Sequence, residues 1–207
     1  MRFFLDSAVA DEARRIKDLG FLDGVWVSLS AAEGAGLEYR KAIRELASLT
    51  DGPVLVETGS DDPKGMYKEG RELAKLGKDI IVRLPVKPEG MRVARLFAQD
   101  QIATCGSSVF SAAQALIAAK ANVSYVAPSV GQLDDVGTIG MDLVEQVIRV
   151  YDNYGFQTQI VVSEARNPIH VLDAALMGAD VAALPADVLE QLFRHPLSEE
   201  IRAGRPS

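Results

Sequence analysis

Short apolar runs alternate with amphipathic stretches along the whole chain, and this alternation is the strongest constraint on its fold. The apolar runs predict eight strands, near residues 2–6, 24–27, 53–58, 79–83, 101–105, 124–127, 157–162 and 180–183. The amphipathic stretches predict eight helices, near 10–19, 37–49, 63–76, 88–98, 110–121, 137–153, 168–177 and 186–194. Eight strands that are each followed by a helix within 207 residues favour an α/β fold, a single compact (β/α)₈ TIM barrel, over an open doubly wound sheet.

Composition limits the kinds of partner that the chain can have. The net charge is −7 at pH 7, whereas a protein whose main partner is nucleic acid needs a basic surface. One cysteine rules out a disulfide within the chain, and no apolar run approaches the roughly 18 residues of a membrane span. The amino terminus has no apolar stretch typical of a signal peptide. We therefore expect a cytoplasmic protein that acts on a small-molecule substrate, with no nucleic-acid or membrane partner.

In a (β/α)₈ barrel the active site forms where the carboxyl ends of the strands meet. Polar and charged side chains are concentrated at the predicted strand ends, and these are the candidate site residues. They are Asp6, Trp26, Ser28, Glu57, Arg83, Lys87, Cys105, Ser107, Ser129, Gln132, Glu164 and Arg166. The two histidines, His170 and His195, fall on predicted helices, which gives no support to a Cys–His or Ser–His relay. We expect no metal and no cofactor.

Several short motifs occur in the order and at the spacing of a known enzyme family. They are Phe3-Phe4-Leu5-Asp6, Gly24-Val25, Asp51-Gly52-Pro53-Val54, Ser111-Ala112-Ala113-Gln114-Ala115-Leu116, Tyr125-Val126-Ala127-Pro128, Leu133-Asp134-Asp135, Asp152-Asn153-Tyr154-Gly155-Phe156 and Arg194-His195-Pro196-Leu197. Over nearly its whole length the chain resembles the small transaldolase family, which includes fructose-6-phosphate aldolase. The resemblance implies one barrel domain over residues 1–207, with a shortened C-terminal tail at 198–207. It also implies a pentamer-like homo-oligomer, without the decamer that the family's final helix supports.

The resemblance also assigns roles to some of the strand-end residues. Asp6 matches an aspartate that transfers protons at the sugar hydroxyls, and Glu57 matches a residue that holds a catalytic water. Ser107 stands where the family has a threonine whose hydroxyl contacts the same water. These three residues resemble a retained acid–base set. We further expect Ser28 and Ser129 to contact the substrate.

The main departure from the family is Arg83, which stands where the resemblance places a Schiff-base lysine. An arginine cannot form a Schiff base, because its guanidinium stays protonated at physiological pH. Arg83 either pairs with Glu57 on the adjacent strand or binds a carboxylate or enolate of the ligand, and the two roles are compatible. Lys87, four residues on, is the alternative position for a relocated Schiff base.

Other departures affect the substrate-binding positions. Residues 26–30 read Trp-Val-Ser-Leu-Ser where the family has Thr-Thr-Asn-Pro-Ser, so Trp26 either packs in the barrel or forms a stacking wall for a ring. Gln132 replaces an arginine and Glu164 replaces a serine at the family's phosphate site, and Arg166 alone keeps its basic character. Because Glu164 would repel a phosphate, we do not expect a phosphosugar substrate.

These observations favour an enzyme of carbohydrate metabolism that performs a lyase, isomerase or dehydration step on a polar carbonyl or carboxylate compound. Asp6 and Glu57 would transfer protons, Ser107 would position a water, and Arg83 would stabilise an oxyanion without a covalent intermediate. Two alternatives stay open. One is a catalytically inactive barrel that serves as a binding or partner subunit, and the other is an aldolase or transaldolase that uses Lys87.

Overall fold

The computed structural model describes residues 1–198, which form a closed barrel of eight parallel strands in chain order. The strands are β1 (Arg2–Asp6), β2 (Gly24–Val27), β3 (Val54–Glu57), β4 (Ile80–Pro85), β5 (Thr104–Val109), β6 (Tyr125–Pro128), β7 (Gln159–Val162) and β8 (Val181–Leu184). The helices are α1 (Ala10–Asp18), α2 (Leu29–Gly34), α3 (Tyr39–Leu49), α4 (Pro63–Leu73), α5 (Pro88–Gln99), α6 (Ala112–Lys120), α7 (Val130–Asp135), α8 (Gly140–Tyr154), α9 (Pro168–Met177) and α10 (Ala186–Gln191). A 3₁₀ turn, Ala74–Leu76, follows α4. The predicted (β/α)₈ barrel is confirmed.

Side chains alternate between the two faces of each strand, and this alternation divides the core into two layers. Residues that point outwards pack against the helices, whereas those that point inwards fill the barrel. The inward set comprises Phe4, Trp26, Leu55, Ile81, Cys105, Tyr125, Ala127, Val161, Val181 and Ala183. On most strands a polar residue follows two positions after the last of these inward-pointing residues. The apolar filling of the barrel therefore ends in a layer of polar side chains at the carboxyl ends of the strands.

The register of the strands fixes which polar residues are neighbours. Glu57 on β3 lies opposite Arg83 on β4, and Arg83 in turn lies opposite Cys105 on β5. Ser107 lies opposite Pro85, because β4 continues for two residues beyond Arg83. Arg83 is therefore inside the strand, deeper in the barrel than a residue at the strand end.

Local signals explain where several helices begin. The side chain of Asp62 accepts a hydrogen bond from the backbone N–H of Gly65 at 3.0 Å, and Pro63 occupies the first turn of α4. Ser111 caps α6 in the same way, by accepting from the N–H of Gln114 at 3.3 Å. Asn167 caps α9 directly before its proline.

The structure corrects several predicted boundaries. The fifth strand was predicted at 101–105 but runs over Thr104–Val109, since Gln101 has a φ of 59° where α5 ends. Cys105, predicted at a strand end, is consequently buried in the barrel interior. Helices α2 and α7, of six residues each, were not predicted, since so short a segment shows little helical periodicity. The equally short α10 was predicted, but as a longer helix over 186–194.

The predicted C-terminal tail, 198–207, lies outside the described residues except for Ser198. No helix within residues 1–198 combines the length and the apolar character that crossing a bilayer requires.

Candidate active site

A cavity of about 340 Å³ opens at the carboxyl ends of the strands. Its lining residues come mainly from the polar layer above the barrel core and from the loops that follow the strands. They are Asp6, Trp26, Ser28, Ser30, Glu57, Arg83, Ser107, Ser108, Ser129, Gln132, Ser163 and Glu164. The structure thus brings together nine of the twelve predicted site residues and leaves Lys87, Cys105 and Arg166 outside the lining.

Arg83 is held on three sides. Its Nη2 donates to the carbonyl oxygen of Val27 at 2.9 Å and lies 3.0 Å from Oε2 of Glu57. Its Cζ lies 3.9 Å from the centroid of the Trp26 ring, in cation–π geometry. The side chain is 4% exposed, and its Nε has no hydrogen-bond partner within residues 1–198. One ring face of Trp26 is therefore covered by the guanidinium, and the predicted ion pair with Glu57 is formed.

Glu57 is engaged through both of its carboxylate oxygens. While Oε2 faces Arg83, Oε1 accepts a hydrogen bond from the backbone N–H of Leu29 at 2.5 Å. The backbone at this position is also fixed, because the N–H of Glu57 donates to the hydroxyl of Tyr39 at 2.7 Å. The geometry makes Glu57 an anchor for the arginine more than a free proton carrier.

Asp6 is a carboxyl group of the cavity with a raised pKa. Burial raises its pKa from 3.8 to about 6; Arg83 lowers the pKa, while the carboxylates of Glu164 and Glu57 raise it. No hydrogen bond of its side chain to another described residue holds it in one protonation state. A carboxyl with this pKa can both accept and donate a proton near neutral pH.

Hydroxyl groups form much of the remaining lining. Ser28 caps α2 by accepting from the N–H of Ala31 at 3.0 Å, and its Oγ lies 3.2 Å from that of Ser30. The hydroxyl of Ser163 donates to the carbonyl oxygen of Pro128 at 2.9 Å. The lining therefore suits a ligand that carries several hydroxyl or carbonyl groups.

Three lining residues were missed in the sequence: Ser30, Ser108 and Ser163. Ser163 could have been found, because it lies two positions beyond the inward-pointing Val161. No spacing indicates Ser108, which has a φ of 55° in an irregular part of β5. Ser30 belongs to α2, which itself was not predicted.

The rim of the cavity is a chain of polar contacts across the loop after β7. The amide of Gln132 donates to Oε1 of Glu164 at 2.7 Å. The guanidinium of Arg166 binds both carboxylate oxygens of Asp135, at 2.5 and 2.7 Å, and approaches Oε2 of Glu164 only to 3.8 Å. The structure thereby corrects the predicted position of Arg166, because this pairing with Asp135 keeps it outside the cavity lining.

Lys87 is the second predicted residue that the structure leaves outside the lining. It precedes Pro88 at the start of α5, and its backbone N–H donates to the carbonyl oxygen of Pro85 at 2.8 Å. This turn directs the chain away from the barrel, and Lys87 is exposed. No lysine of the described chain lines the cavity.

The other candidate groups lie away from the cavity. Burial raises the pKa of the Cys105 thiol to about 12, so it stays protonated. His170 lies beside Asp134, with 3.5 Å between Nε2 and Oδ2, outside the lining. Within residues 1–198, no group of three His, Cys, Asp or Glu side chains is arranged to hold a metal ion.

Comparisons with known proteins agree with this architecture. Residues 31–205 match the profile of a family described as transaldolase/fructose-6-phosphate aldolase. A probable transaldolase from Hydrogenobaculum sp. is 46% identical over 199 residues, which are 96% of this chain and 92% of the relative. Probable transaldolases from Methanococcus maripaludis and Aquifex aeolicus are 45% and 44% identical over 96% of this chain, and over 93% and 92% of their own lengths.

The solved structures that resemble this barrel are more distant in sequence. The N-acetylmannosamine-6-phosphate 2-epimerase from Clostridium perfringens superposes with a TM-score of 0.65 at 14% identity, over 98% of this chain and 92% of that chain. A mandelate oxidase superposes with a TM-score of 0.62 at 15% identity, over 94% of this chain and 67% of that chain. At such identities the likeness supports the fold alone.

Proposed function

The chain belongs to the transaldolase/fructose-6-phosphate aldolase family, and from that premise we propose that it acts by acid–base catalysis without a lysine Schiff base. The substrate would be a polar carbonyl or carboxylate compound. The observation that carries this proposal is Arg83, which is buried and lines a cavity that no described lysine lines. An arginine can stabilise negative charge but cannot act as the amine nucleophile.

Arg83 is suited to stabilising an oxyanion. Glu57, the Val27 carbonyl and the Trp26 ring hold the guanidinium in one orientation, so little reorganisation is needed when charge develops. All of its hydrogen bonds with described residues are made by Nη2. Nη1 makes no hydrogen bond with a described residue, and we assign it to a carbonyl or carboxylate oxygen of a ligand in the cavity.

Asp6 is the group that we assign to proton transfer. In the proposed step its carboxylate removes a proton from the carbon next to a carbonyl group. The bonding electrons pass to the carbonyl oxygen, where Arg83 stabilises the negative charge. Returning the proton at another atom gives isomerisation, and expulsion of a β-hydroxyl, which leaves as water with a proton from Asp6, gives dehydration. Carbon–carbon cleavage would begin instead with Asp6 removing the proton of a β-hydroxyl, after which the carbon–carbon bond breaks and its electrons pass to the carbonyl oxygen beside Arg83.

The geometry changes the role proposed for Glu57. Because both of its oxygens are engaged, Glu57 would position Arg83 and leave proton transfer to Asp6. Ser107 lines the cavity and would position a water or a substrate hydroxyl. The proposed acid–base set is thus one proton carrier, one oxyanion-binding arginine and its carboxylate anchor.

Exchange of carbon-bound protons in D₂O tests the proposal without knowledge of the natural substrate. Dihydroxyacetone, hydroxyacetone and a panel of ketoacids would be incubated with the protein and followed by proton NMR. We expect at least one compound to lose its α-proton signal faster with the wild-type protein. Asp6→Asn should abolish the acceleration, whereas the matched Asp51→Asn, at an exposed position outside the cavity, should retain it.

The result also separates the alternatives. Acceleration that survives Asp6→Asn would contradict the assigned role of Asp6. Binding of these compounds with no exchange would favour the barrel as a binding or partner subunit. Loss of exchange in Lys87→Gln would favour the relocated lysine, although Lys87 lies outside the cavity lining.

We also propose that the chain forms a homo-oligomer. The outer face of α9 exposes Ile169, Leu172 and Leu176, which are 67%, 58% and 76% exposed. Their spacing places them on one side of the helix, and an apolar stripe of this kind is typical of a protein–protein contact. Light scattering after size-exclusion chromatography gives the mass directly, and Leu172→Glu should reduce it if this face is the contact.

A further inference from the structure

The charges that line the cavity do not balance. Three carboxylates, those of Asp6, Glu57 and Glu164, face it, and in the described chain Arg83 is their sole cationic partner in the lining. Arg83 is paired with Glu57 at 3.0 Å. Asp6 and Glu164 are therefore left without a cation of their own inside the cavity, and each raises the energy of placing a further negative charge there.

The rim is built to present acceptors to a ligand. The amide of Gln132 donates to Oε1 of Glu164 and so keeps its own carbonyl oxygen free. Glu164 has a φ of 60°, a left-handed conformation that a residue with a side chain rarely adopts. A residue stays in such an unfavourable backbone conformation only when the surrounding structure holds it there. We therefore take the Glu164 carboxylate to be held at the mouth of the cavity.

Arg166 carries a positive charge near Glu164 but does not line the cavity. Arg166 binds Asp135 through Nη1 and Nη2, and its Nη2 lies 3.8 Å from Oε2 of Glu164. Gly131 makes room for this arrangement, because a Cβ there would lie 2.7 Å from Nε of Arg166. An incoming anion would therefore meet Glu164 and a neutralised arginine instead of a free guanidinium.

Arg83 supplies hydrogen-bond donors to the cavity. It is 4% exposed, lines the cavity, and carries an Nε that has no partner among the described residues. An arginine so deeply buried and incompletely bonded requires an acceptor oxygen close by. The cavity thus has donors in Arg83 and, at its rim, acceptors in Glu164 and Gln132.

Resting on the function proposed above, we infer that the substrate is a small hydroxylated carbonyl compound that carries a protonated amine and no phosphate. Its carbonyl or carboxylate oxygen faces Arg83, and its ammonium group faces Glu164 at the rim, which leaves Asp6 for proton transfer. An ammonium restores the charge balance that the three carboxylates leave open, whereas a phosphate increases the imbalance. The volume of about 340 Å³ is at the small end of ligand pockets, which fits an amino sugar or an amino hydroxyketone.

Three probes that differ at one atom position test the inference. They are 2-amino-1,3-propanediol, glycerol and glycerol 2-phosphate, which carry an ammonium, a hydroxyl and a phosphate on the same central carbon. Trp26 is the single tryptophan of the chain and contacts Arg83, so its fluorescence reports binding in the cavity. At pH 7.5 and low salt we expect the amine to bind about tenfold more tightly than glycerol, and the phosphate most weakly.

Variants at the rim test whether Glu164 causes the preference. Glu164→Gln should bring the dissociation constants of the amine and of glycerol to within about twofold. Glu164→Asp, which keeps the charge, should retain the preference, as should Glu145→Gln on the exposed face of α8. Thermal unfolding of each variant confirms that it is folded before binding is measured.

Several outcomes would overturn the inference. These are a phosphate probe that binds as tightly as the amine, an amine that gives no saturable response, or an amine preference that Glu164→Gln leaves unchanged. The test measures binding alone. The proton-exchange experiment with Asp6→Asn can therefore succeed while the amine preference fails, or the reverse.

Discussion

Replacing Asp6 by asparagine removes a charge that burial makes costly, and the change should stabilise the protein at neutral and alkaline pH. The pKa of Asp6 is raised by burial from 3.8 to about 6, so the folded state binds this proton more readily than the unfolded state. Stability therefore falls as pH rises from about 4 to about 6. Above that window the ionised carboxylate carries its full cost.

The size of the effect follows from the shift. A difference of about two pKa units corresponds to about 3 kcal/mol of stability, since one unit is worth about 1.4 kcal/mol. Asp6→Asn has nearly the same shape and no charge. We expect it to raise the free energy of unfolding by up to about 3 kcal/mol at pH 8, and to have little effect at pH 4.

Urea denaturation followed by Trp26 fluorescence, at one-unit intervals from pH 4 to pH 8, measures this directly. The matched variant Asp51→Asn, at an exposed position, should show no such pH-dependent gain. The reasoning would be refuted if Asp6→Asn were destabilising at pH 8, or if its effect were the same at every pH. Either result would mean that the carboxylate is stabilised in the fold by contacts that outweigh its desolvation.

Three further predictions concern the site and its scaffold. Arg83→Met should lower the free energy of unfolding by about 3 kcal/mol, because it leaves the Glu57 carboxylate without its partner. In urea denaturation, adding Glu57→Gln should recover part of that loss. Strictly additive effects of the two substitutions would show that the residues are not coupled. The rate of proton exchange should rise with pH and level off above about pH 6, which is the pKa of Asp6. A pH profile without an inflection between pH 5 and pH 7 would mean that a residue other than Asp6 is the base. Gly90→Ala should be strongly destabilising in thermal unfolding, because its Cβ would lie 2.1 Å from a carbonyl oxygen of β4. At Gly34 nothing lies within 4 Å of the added Cβ, so Gly34→Ala should be tolerated or should stabilise the protein by about 0.5–1 kcal/mol. Equal effects of the two substitutions would contradict this packing.

The barrel could be predicted from the sequence because its signal is repeated eight times. On most strands the last inward-pointing apolar residue is followed two positions later by a polar one, as Leu55 is by Glu57, and this pattern also locates the polar layer of the cavity. The boundary of β5 could not be predicted in the same way. Its second half contains Ser107 and Ser108, so it does not read as an apolar run.

The contacts between loops could not be predicted from the spacing of residues in the sequence. Arg166 was expected in the cavity because the resemblance places it at the family's phosphate site, but Asp135, 31 residues earlier, binds it outside. Lys87 was expected at a strand end, but the turn at Pro88 leaves it exposed. Both corrections depend on the path of the chain after a strand ends, which neither hydrophobic periodicity nor residue type specifies. The chemical roles of the residues that do line the cavity stay predictions.

The central claim, that this barrel acts without a lysine Schiff base, is tested most directly by borohydride trapping and peptide mass mapping. The wild-type protein would be incubated with dihydroxyacetone, fructose 6-phosphate and a panel of ketoacids before reduction, beside a lysine-dependent aldolase as the positive control. The account predicts no reduced adduct on any lysine of the chain, Lys87 included, while the control is labelled. A stoichiometric adduct on Lys87 would contradict it and establish that Schiff-base chemistry has moved to the turn after β4.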